Sequence, residues 1–193
     1  MQKRIFIVHS WLGSPEDGWY PWLKTELEKK GFIVETPSMP DTAHPKINLW
    51  VKMLATLVKT PDEHTYFVAH SIGCQTVLRY LQKLNKEVKI GGAVFVAPWT
   101  NLSEASYETE DDRKTIKPWL KNDLKWDKIL EHCSRFTAVF SDNDLYVPLA
   151  NATLFEEKLK AKIVLEYGKH HFMGSEGIHE LPIVLQELEN LLS

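Results

Sequence analysis

Six short apolar runs recur along the chain, and stretches with helical periodicity separate them. Each run is rich in β-branched or aromatic residues and apolar at consecutive positions, which is typical of strands covered on both faces of a sheet. The predicted strands are 4–8, 32–35, 65–69, 92–97, 136–140 and 163–166. Strands that alternate with helices in this way predict right-handed crossovers and an α/β fold, a doubly wound parallel sheet with helices on both faces.

The segments between the runs carry the apolar stripes of amphipathic helices. Gly31 is the expected stop of the first helix, a later helix is expected over about 149–159, and the last is expected from about Gly177. We expect one domain over 1–193, because no repeat, low-complexity tract or flexible linker interrupts the chain. The exception is the polar segment 100–125, which predicts either a small cap over a site or a solvated surface excursion.

Composition excludes several classes of partner. The net charge is −3 with both signs interspersed, so neither nucleic acid nor a membrane surface is an expected partner. Cys74 and Cys133 have no metal-ligand spacing and are expected to be buried thiols, so we predict no metal and no disulfide. The apolar run 5–8 is too short for a signal peptide, and the expected location is the cytoplasm.

A serine stands where the third predicted strand turns into a helix. Ser71 has the small residues Ala69 and Gly73 two positions to either side, the spacing of a tight turn that exposes a nucleophilic hydroxyl. The helix that begins after Ser71 would direct its free N–H groups toward a developing oxyanion. The alternative is that Ser71 is only a helix N-cap.

Candidate partners for Ser71 follow two later strands. A nucleophilic serine needs a histidine as base and a carboxylate that orients the histidine. In this fold the acid follows a later strand and the base follows the last one, which gives the chain order Ser, Asp, His. Asp144 after the fifth strand is our choice of acid, with Asp142 as the alternative. His171 after the sixth strand is our choice of base over His170.

The loop after the first strand is expected to complete an oxyanion hole. The N–H groups of Ile72 and Trp11 are the predicted donors, and Gly13 would allow the loop to approach the nucleophile. His9 and His70 end their strands, and we interpret both as structural residues.

Several stretches together resemble the small serine hydrolases of the retinoblastoma-binding protein 9 and YdeN family. The resemblance runs nearly end to end and is carried by 9–11, 18–24, 39–41, Trp50, 69–74, Asp144 before 147–148, and 171–172. It implies a reduced, single-domain α/β-hydrolase with about six parallel strands, and a triad of Ser71, Asp144 and His171. The chain departs from YdeN-like members at His9-Ser10, where they have His-Gly.

The expected activity is hydrolysis of a small carboxylic ester or related acyl substrate through an acyl-serine intermediate, without a cofactor. Trp99, Trp119 and Met173 are the predicted substrate contacts, as walls of an apolar pocket. Two alternatives stay open at this point. The chain could be a protein-binding module with weak activity, or an amidase or peptidase that uses the same triad. No particular protein partner is predicted.

Overall fold

The computed structural model describes residues 2–121 and 123–193, and its centre is a six-stranded, entirely parallel sheet. The strand order is β2-β1-β3-β4-β5-β6. The strands are β1 (Arg4–Val8), β2 (Ile33–Glu35), β3 (Thr65–His70), β4 (Gly92–Val96), β5 (Phe136–Ser141) and β6 (Lys162–Glu166). Each predicted strand is present and shifts by no more than one residue at either end, so the predicted α/β fold class is confirmed.

In residues 2–121 and 123–193, seven α-helices connect or flank the strands. They are α1 (Tyr20–Lys29), α2 (Ile47–Val58), α3 (Ile72–Leu81), α4 (Glu110–Leu120), α5 (Trp126–His132), α6 (Ala150–Leu159) and α7 (Pro182–Leu192). Short 3₁₀ turns occur at Glu104–Ser106 and Gly174–Glu176. Gly31 follows α1 with a φ of 86°, the left-handed conformation expected of a glycine stop.

The start of the last helix was predicted too early. Gly177 has a φ of 82°, and this left-handed residue ends a 3₁₀ turn instead of starting a helix. The helix begins at Pro182, whose fixed φ and missing N–H suit the first helical turn. The apolar stripe after Gly177 is therefore helical only from Pro182 onward.

The core lies on both faces of the central strands. Every residue of β3, β4 and β5 is buried, which explains why these strands are apolar at nearly every position. Cys74 and Cys133 are both buried and unpaired, as predicted. Among the described residues, no helix is long and apolar enough to cross a membrane.

The segment 100–125 is ordered around α4, with Asn122 outside the described residues. A capping box starts the helix: the Thr109 backbone N–H donates to Asp112 at 3.1 Å, and the Asp112 N–H donates to the Thr109 hydroxyl at 3.1 Å. Ile116 lies one turn after Asp112 on the same face of α4 and is buried. Within α4, the exposed polar residues lie on the face opposite the buried Ile116 and Trp119.

The direction in which the chain adds strands to the sheet reverses after β2. β2 lies on one side of β1, and β3 lies on the other. β1 and β3 are adjacent and in register from Arg4 opposite Thr65 to Val8 opposite Ala69. Their carboxyl ends consequently lie side by side at the topological switch point, where ligands of open α/β sheets bind. The loop after β1 and the turn at Ser71 both emerge there.

Gly73, in the first turn of α3, lies against the carboxyl end of β1. A Cβ at this position would come within 2.4 Å of the Val8 carbonyl oxygen and 2.8 Å of the His9 carbonyl oxygen. Both obstacles are backbone atoms and cannot move without shifting a strand. The small residue predicted two positions after Ser71 is therefore required by helix-to-strand contact.

We expect Gly73→Ala to lower the free energy of unfolding by about 1–3 kcal/mol, because the added methyl overpacks a backbone contact. It should also displace Ser71 and reduce hydrolytic activity. Gly31→Ala is the matched control: open space surrounds Gly31, so its cost of about 1 kcal/mol comes from φ alone and activity should stay unchanged. Urea unfolding and ester hydrolysis of both variants check this, and equal activity in the two would contradict it.

Candidate active site

Ser71 occupies a strained turn between β3 and α3. Its φ of 52° and ψ of −117° are rarely adopted by residues with a side chain, and such strain costs on the order of 1–3 kcal/mol. The Ser71 N–H donates to the Val96 carbonyl at 2.9 Å, which holds the turn against β4. Although Ser71 stands at the N-cap position, its side chain makes no capping hydrogen bond. The hydroxyl is thus not engaged by the helix that it precedes.

A buried hydrogen bond between a histidine and an aspartate lies beside the turn. His171 Nδ1 and Asp144 Oδ2 are 2.8 Å apart, and the two side chains are only 8% and 2% exposed. The other carboxylate oxygen, Asp144 Oδ1, accepts the N–H groups of Tyr146 at 2.8 Å and Val147 at 3.0 Å. These backbone donors fix the carboxylate, and the carboxylate fixes the imidazole with Nε2 as its free nitrogen.

The two residues held as alternatives lie elsewhere in the same loops. Asp142 is exposed and accepts the Gly168 N–H at 2.7 Å. His170 is also exposed, and its N–H donates to Asn143 at 2.8 Å. Asp142 and His170 therefore shape the loops around the buried Asp144–His171 pair.

Ser71 and His171 line one cavity of about 340 Å³ at the carboxyl edge of the sheet. Trp99 and Met173, both predicted substrate contacts, are part of its wall. A second wall comes from the segment 100–125, which contributes side chains on both sides of the start of α4. They are Leu102, Ala105, Ser106, Glu108, Thr109, Asp112 and Ile116.

Trp119 does not reach this cavity, and the prediction of a substrate contact is corrected for it. Its side chain is buried, its Nε1–H donates to the Pro45 carbonyl at 2.9 Å, and its ring packs against the edge of Trp50. The presence of a tryptophan in the sequence does not indicate whether it lines a cavity or lies in the core. On α4, Ile116 lines the cavity and Trp119 lies in the core.

The predicted oxyanion donors also line the cavity. Within the described residues, neither the backbone N–H of Ile72 nor that of Trp11 donates a hydrogen bond to a protein acceptor, whereas the Trp11 indole N–H donates to the Ala43 carbonyl at 2.9 Å. The next N–H, of Leu12, donates to Thr42 at 3.0 Å, and Leu12 rather than Gly13 carries the positive φ, 58°. Gly13 instead permits a close approach, since a Cβ there would lie 3.0 Å from the Ser10 carbonyl oxygen.

Comparisons with known proteins agree with this architecture. The family model described as serine hydrolase matches residues 5–190. The chain belongs to the serine hydrolase family. It is 28% identical to YdeN of Bacillus subtilis (strain 168) over 193 residues, which covers 100% of this chain and 98% of YdeN. The resemblance inferred from the residues is confirmed.

Solved structures give the same result for the fold. The crystal structure of the ydeN gene product from B. subtilis matches this serine hydrolase with a TM-score of 0.90 and 26% identity, covering 99% of each chain. Est1E from Butyrivibrio proteoclasticus, in its complex with ferulic acid, matches with a TM-score of 0.74 and 15% identity, covering 98% of this chain and 88% of Est1E. The likeness to Est1E concerns the fold alone.

A buried hydrogen-bond chain joins the loop after β1, the start of α1, the end of β3 and the loop after β6 in this serine hydrolase. The Ser10 N–H donates to the Tyr20 hydroxyl oxygen at 3.2 Å, and Tyr20 Oη lies 2.6 Å from His70 Nδ1. His70 Nε2 lies 2.8 Å from the His171 carbonyl oxygen. Because a carbonyl only accepts, His70 carries its proton on Nε2, and the Tyr20 hydroxyl donates to Nδ1.

Burial and the neighbouring His171 hold the pKa of His70 well below its ordinary value. Burial also raises the pKa of Tyr20, so the phenol keeps the proton that it donates. His9 is structural as well: its Nδ1–H donates to the Ser10 carbonyl at 2.9 Å, and its Nε2 accepts the Met39 N–H at 3.0 Å. The structural interpretation of both histidines is confirmed by these bonds.

The sequence analysis assigned no role to Tyr20 or to individual cavity residues of the segment 100–125, although that segment was predicted as a possible cap. Tyr20 is fifty positions from His70 and lies in a helix, so no local spacing connects them. Tyr146, whose ring meets the His171 ring edge-on at 5.2 Å, was also not singled out. Its place beside Asp144 in the loop after β5 was the available hint.

We expect stability to fall as the pH is lowered through the ordinary histidine pKa of 6.5, because the unfolded chain then binds a proton at His70 that the folded chain does not. From about pH 7.5 to about pH 5.5 this residue should account for about 1 kcal/mol of the free energy of unfolding. Urea titrations of His70→Asn should show a pH dependence smaller by that amount. The exposed His179→Asn is the control and should keep the wild-type dependence; an unchanged dependence in His70→Asn would contradict the assignment.

Proposed function

We propose that this serine hydrolase cleaves a small carboxylic ester, or a related acyl substrate, through an acyl-Ser71 intermediate. One observation carries the proposal: the buried His171–Asp144 pair opens onto the same cavity as the strained Ser71. Each of the three groups alone has a structural explanation. Ser71 and His171 meet at one cavity with Asp144 behind His171, in the chain order typical of α/β-hydrolases, and this arrangement favours a nucleophilic role over three separate structural ones.

The residues divide the proposed reaction as follows. Ser71 Oγ attacks the acyl carbon while His171 Nε2 takes the hydroxyl proton, and Asp144 stabilises the imidazolium that results. The N–H groups of Ile72 and Trp11 receive the developing oxyanion. His171 then gives its proton to the leaving alcohol. Water attacks the acyl-Ser71 ester in the same manner and restores the free serine.

The cavity favours a small, uncharged substrate. Its volume of about 340 Å³ is near the lower limit for ligand sites. Apolar side chains form most of the wall, and the charged residues among the described lining are Glu108 and Asp112, with no lysine or arginine. A substrate that carries a carboxylate or phosphate would be repelled there. We propose that the segment 100–125 is the cap that sets this size and charge.

A fluorophosphonate probe tests the nucleophile directly. We expect labelling of the wild-type protein at Ser71, none in Ser71→Ala, and labelling slowed by at least about 100-fold in His171→Ala, which lacks the general base. His170→Ala is the matched control, since it removes the neighbouring imidazole outside the cavity, and should label at the wild-type rate. Mass spectrometry of the labelled peptide gives the position. A wild-type protein that stays unlabelled while an active esterase reacts would refute the proposal.

The assignment of the acid is tested by a pair of conservative substitutions. Asp144→Asn keeps the shape but removes the charge that orients and stabilises His171, so kcat should fall by about 10³- to 10⁴-fold. Asp142→Asn alters an exposed loop residue and should stay within about 3-fold of the wild type. Hydrolysis of p-nitrophenyl acetate measures both. The reverse order would exchange the two roles.

A further inference from the structure

Within the described residues, a single hydrogen bond attaches the first turn of α4 to an element outside the segment 100–125. It joins His44 Nε2 to Asp111 Oδ2 at 2.9 Å. The other two hydrogen bonds from α4 to such elements are both at Trp119, near the C-terminal end of the helix. Three residues in or just before the first turn are part of the cavity wall: Glu108, Thr109 and Asp112. The position of the wall at this place therefore depends on His44.

The chain has separate anchors on either side of this turn. Before it, Ser106 Oγ donates to the Tyr146 carbonyl at 3.1 Å. After it, Trp119 is bonded to other elements through both its indole N–H and its carbonyl. Between these anchors, over residues 107–118, the hydrogen bond from His44 is the one that reaches outside the segment.

The two residues before His44 hold another part of the cavity wall. The Trp11 indole N–H donates to the Ala43 carbonyl at 2.9 Å, and the Leu12 backbone N–H donates to the Thr42 carbonyl at 3.0 Å. Trp11 and Leu12 line the cavity, and their two acceptors do not. The connection between β2 and α2 thus binds the loop after β1 and the first turn of α4 through three consecutive residues, and it fixes these two parts of the wall relative to each other.

His44 itself is held by its neighbours in the chain. Its backbone N–H donates to the Asp41 carbonyl at 3.1 Å, and the buried Pro45 follows it and restricts its backbone. Because a carboxylate only accepts, His44 Nε2 carries the proton of the bond to Asp111. The two side chains are 52% and 71% exposed, so the bond contributes little to the stability of the whole fold. Its effect is local, on the turn that it attaches.

We propose that His44 is a positioning residue that holds the first turn of α4 in the cavity wall and thereby limits the size of the substrate. This inference rests on the proposed function and names a determinant of its substrate class. His44 acts through Asp111, whose neighbour Asp112 lines the cavity. Without the bond, the stretch between the anchors at Ser106 and Trp119 is free to move away from the loop after β1, and the cavity admits a longer ester.

His44→Ala removes the bond, and His44→Gln is the rescue variant, since its side-chain amide can still donate to Asp111. We compare p-nitrophenyl octanoate with p-nitrophenyl acetate for the acyl side, and octyl acetate with methyl acetate for the alcohol side. In one pair, His44→Ala should raise the ratio of kcat/KM, long ester over short, by about 2- to 5-fold. His44→Gln should restore most of the wild-type ratio. Ratios that stay or fall in both pairs, or no rescue by His44→Gln, would overturn the inference.

Asp111→Ala tests whether His44 acts through α4. It should raise the same ratio as much as His44→Ala does, and the double variant should raise it no further, because the two side chains form one bond. His64→Ala is the matched control: it removes a half-buried histidine that precedes β3, at the edge of the sheet opposite the cavity, and should keep the wild-type ratio. Additive changes in the double variant, or an equal change in His64→Ala, would overturn the inference.

A binding measurement separates this inference from the proposed function. In Ser71→Ala protein, which lacks the proposed nucleophile, NMR titrations give dissociation constants for the same four esters. Adding His44→Ala should tighten binding of the long ester relative to the short one in the pair that showed the change in kcat/KM, or in either pair if no turnover is seen. If the wild type hydrolyses no ester, the proposed function fails, while these constants still decide the role of His44. Relative affinities that His44→Ala leaves unchanged would overturn the inference alone.

Discussion

The close contact of Gly73 with the end of β1 fixes the first turn of α3 against the sheet. The first turn of α3 lies so close to the Val8 and His9 carbonyls that no side chain fits between them. The strand order places Ser71, which follows β3, between the ends of β1 and β4, and its backbone there has a strained conformation. The strain is tolerated because the elements around it are buried and rigid. The same contact brings the loop after β1 within reach of the nucleophile.

The buried chain from Ser10 through Tyr20 and His70 to His171 extends this control to the other loops. It connects the loop after β1, the start of α1, the residue before the nucleophile and the backbone of His171. A neutral His70 is required at its centre, since one ring nitrogen donates and the other accepts. Trp19 adds a parallel link through its bond to Phe172. Four segments that are distant in sequence are thereby held in one arrangement.

Local sequence patterns predicted the strands and the loops that hold the proposed catalytic residues. Consecutive apolar positions specified the strands, and the residues around Ser71, Asp144 and His171 each follow a strand, so topology alone gathers them at one edge. The start of the last helix was predicted wrongly at Gly177, because a glycine with positive φ can end a 3₁₀ turn as well as precede a helix. The prediction for Trp119 was wrong because this residue follows Asp112 and Ile116 on the same face of α4 but lies beyond the end of the cavity, which composition does not indicate. Tyr20 was missed because its partner is defined only in three dimensions.

Chemistry and selectivity consequently come from different parts of the chain. The groups proposed for catalysis stand at strand ends, where the sheet fixes them whatever the substrate is. The cavity wall comes from Trp99, from the loops and from α4, whose side chains can change without disturbing the sheet. The segment 100–125 supplies both carboxylates of the wall. For the proposed hydrolysis, a wall with these two carboxylates and, among its described residues, no lysine or arginine favours an uncharged substrate, a requirement that the three proposed catalytic groups do not impose by themselves.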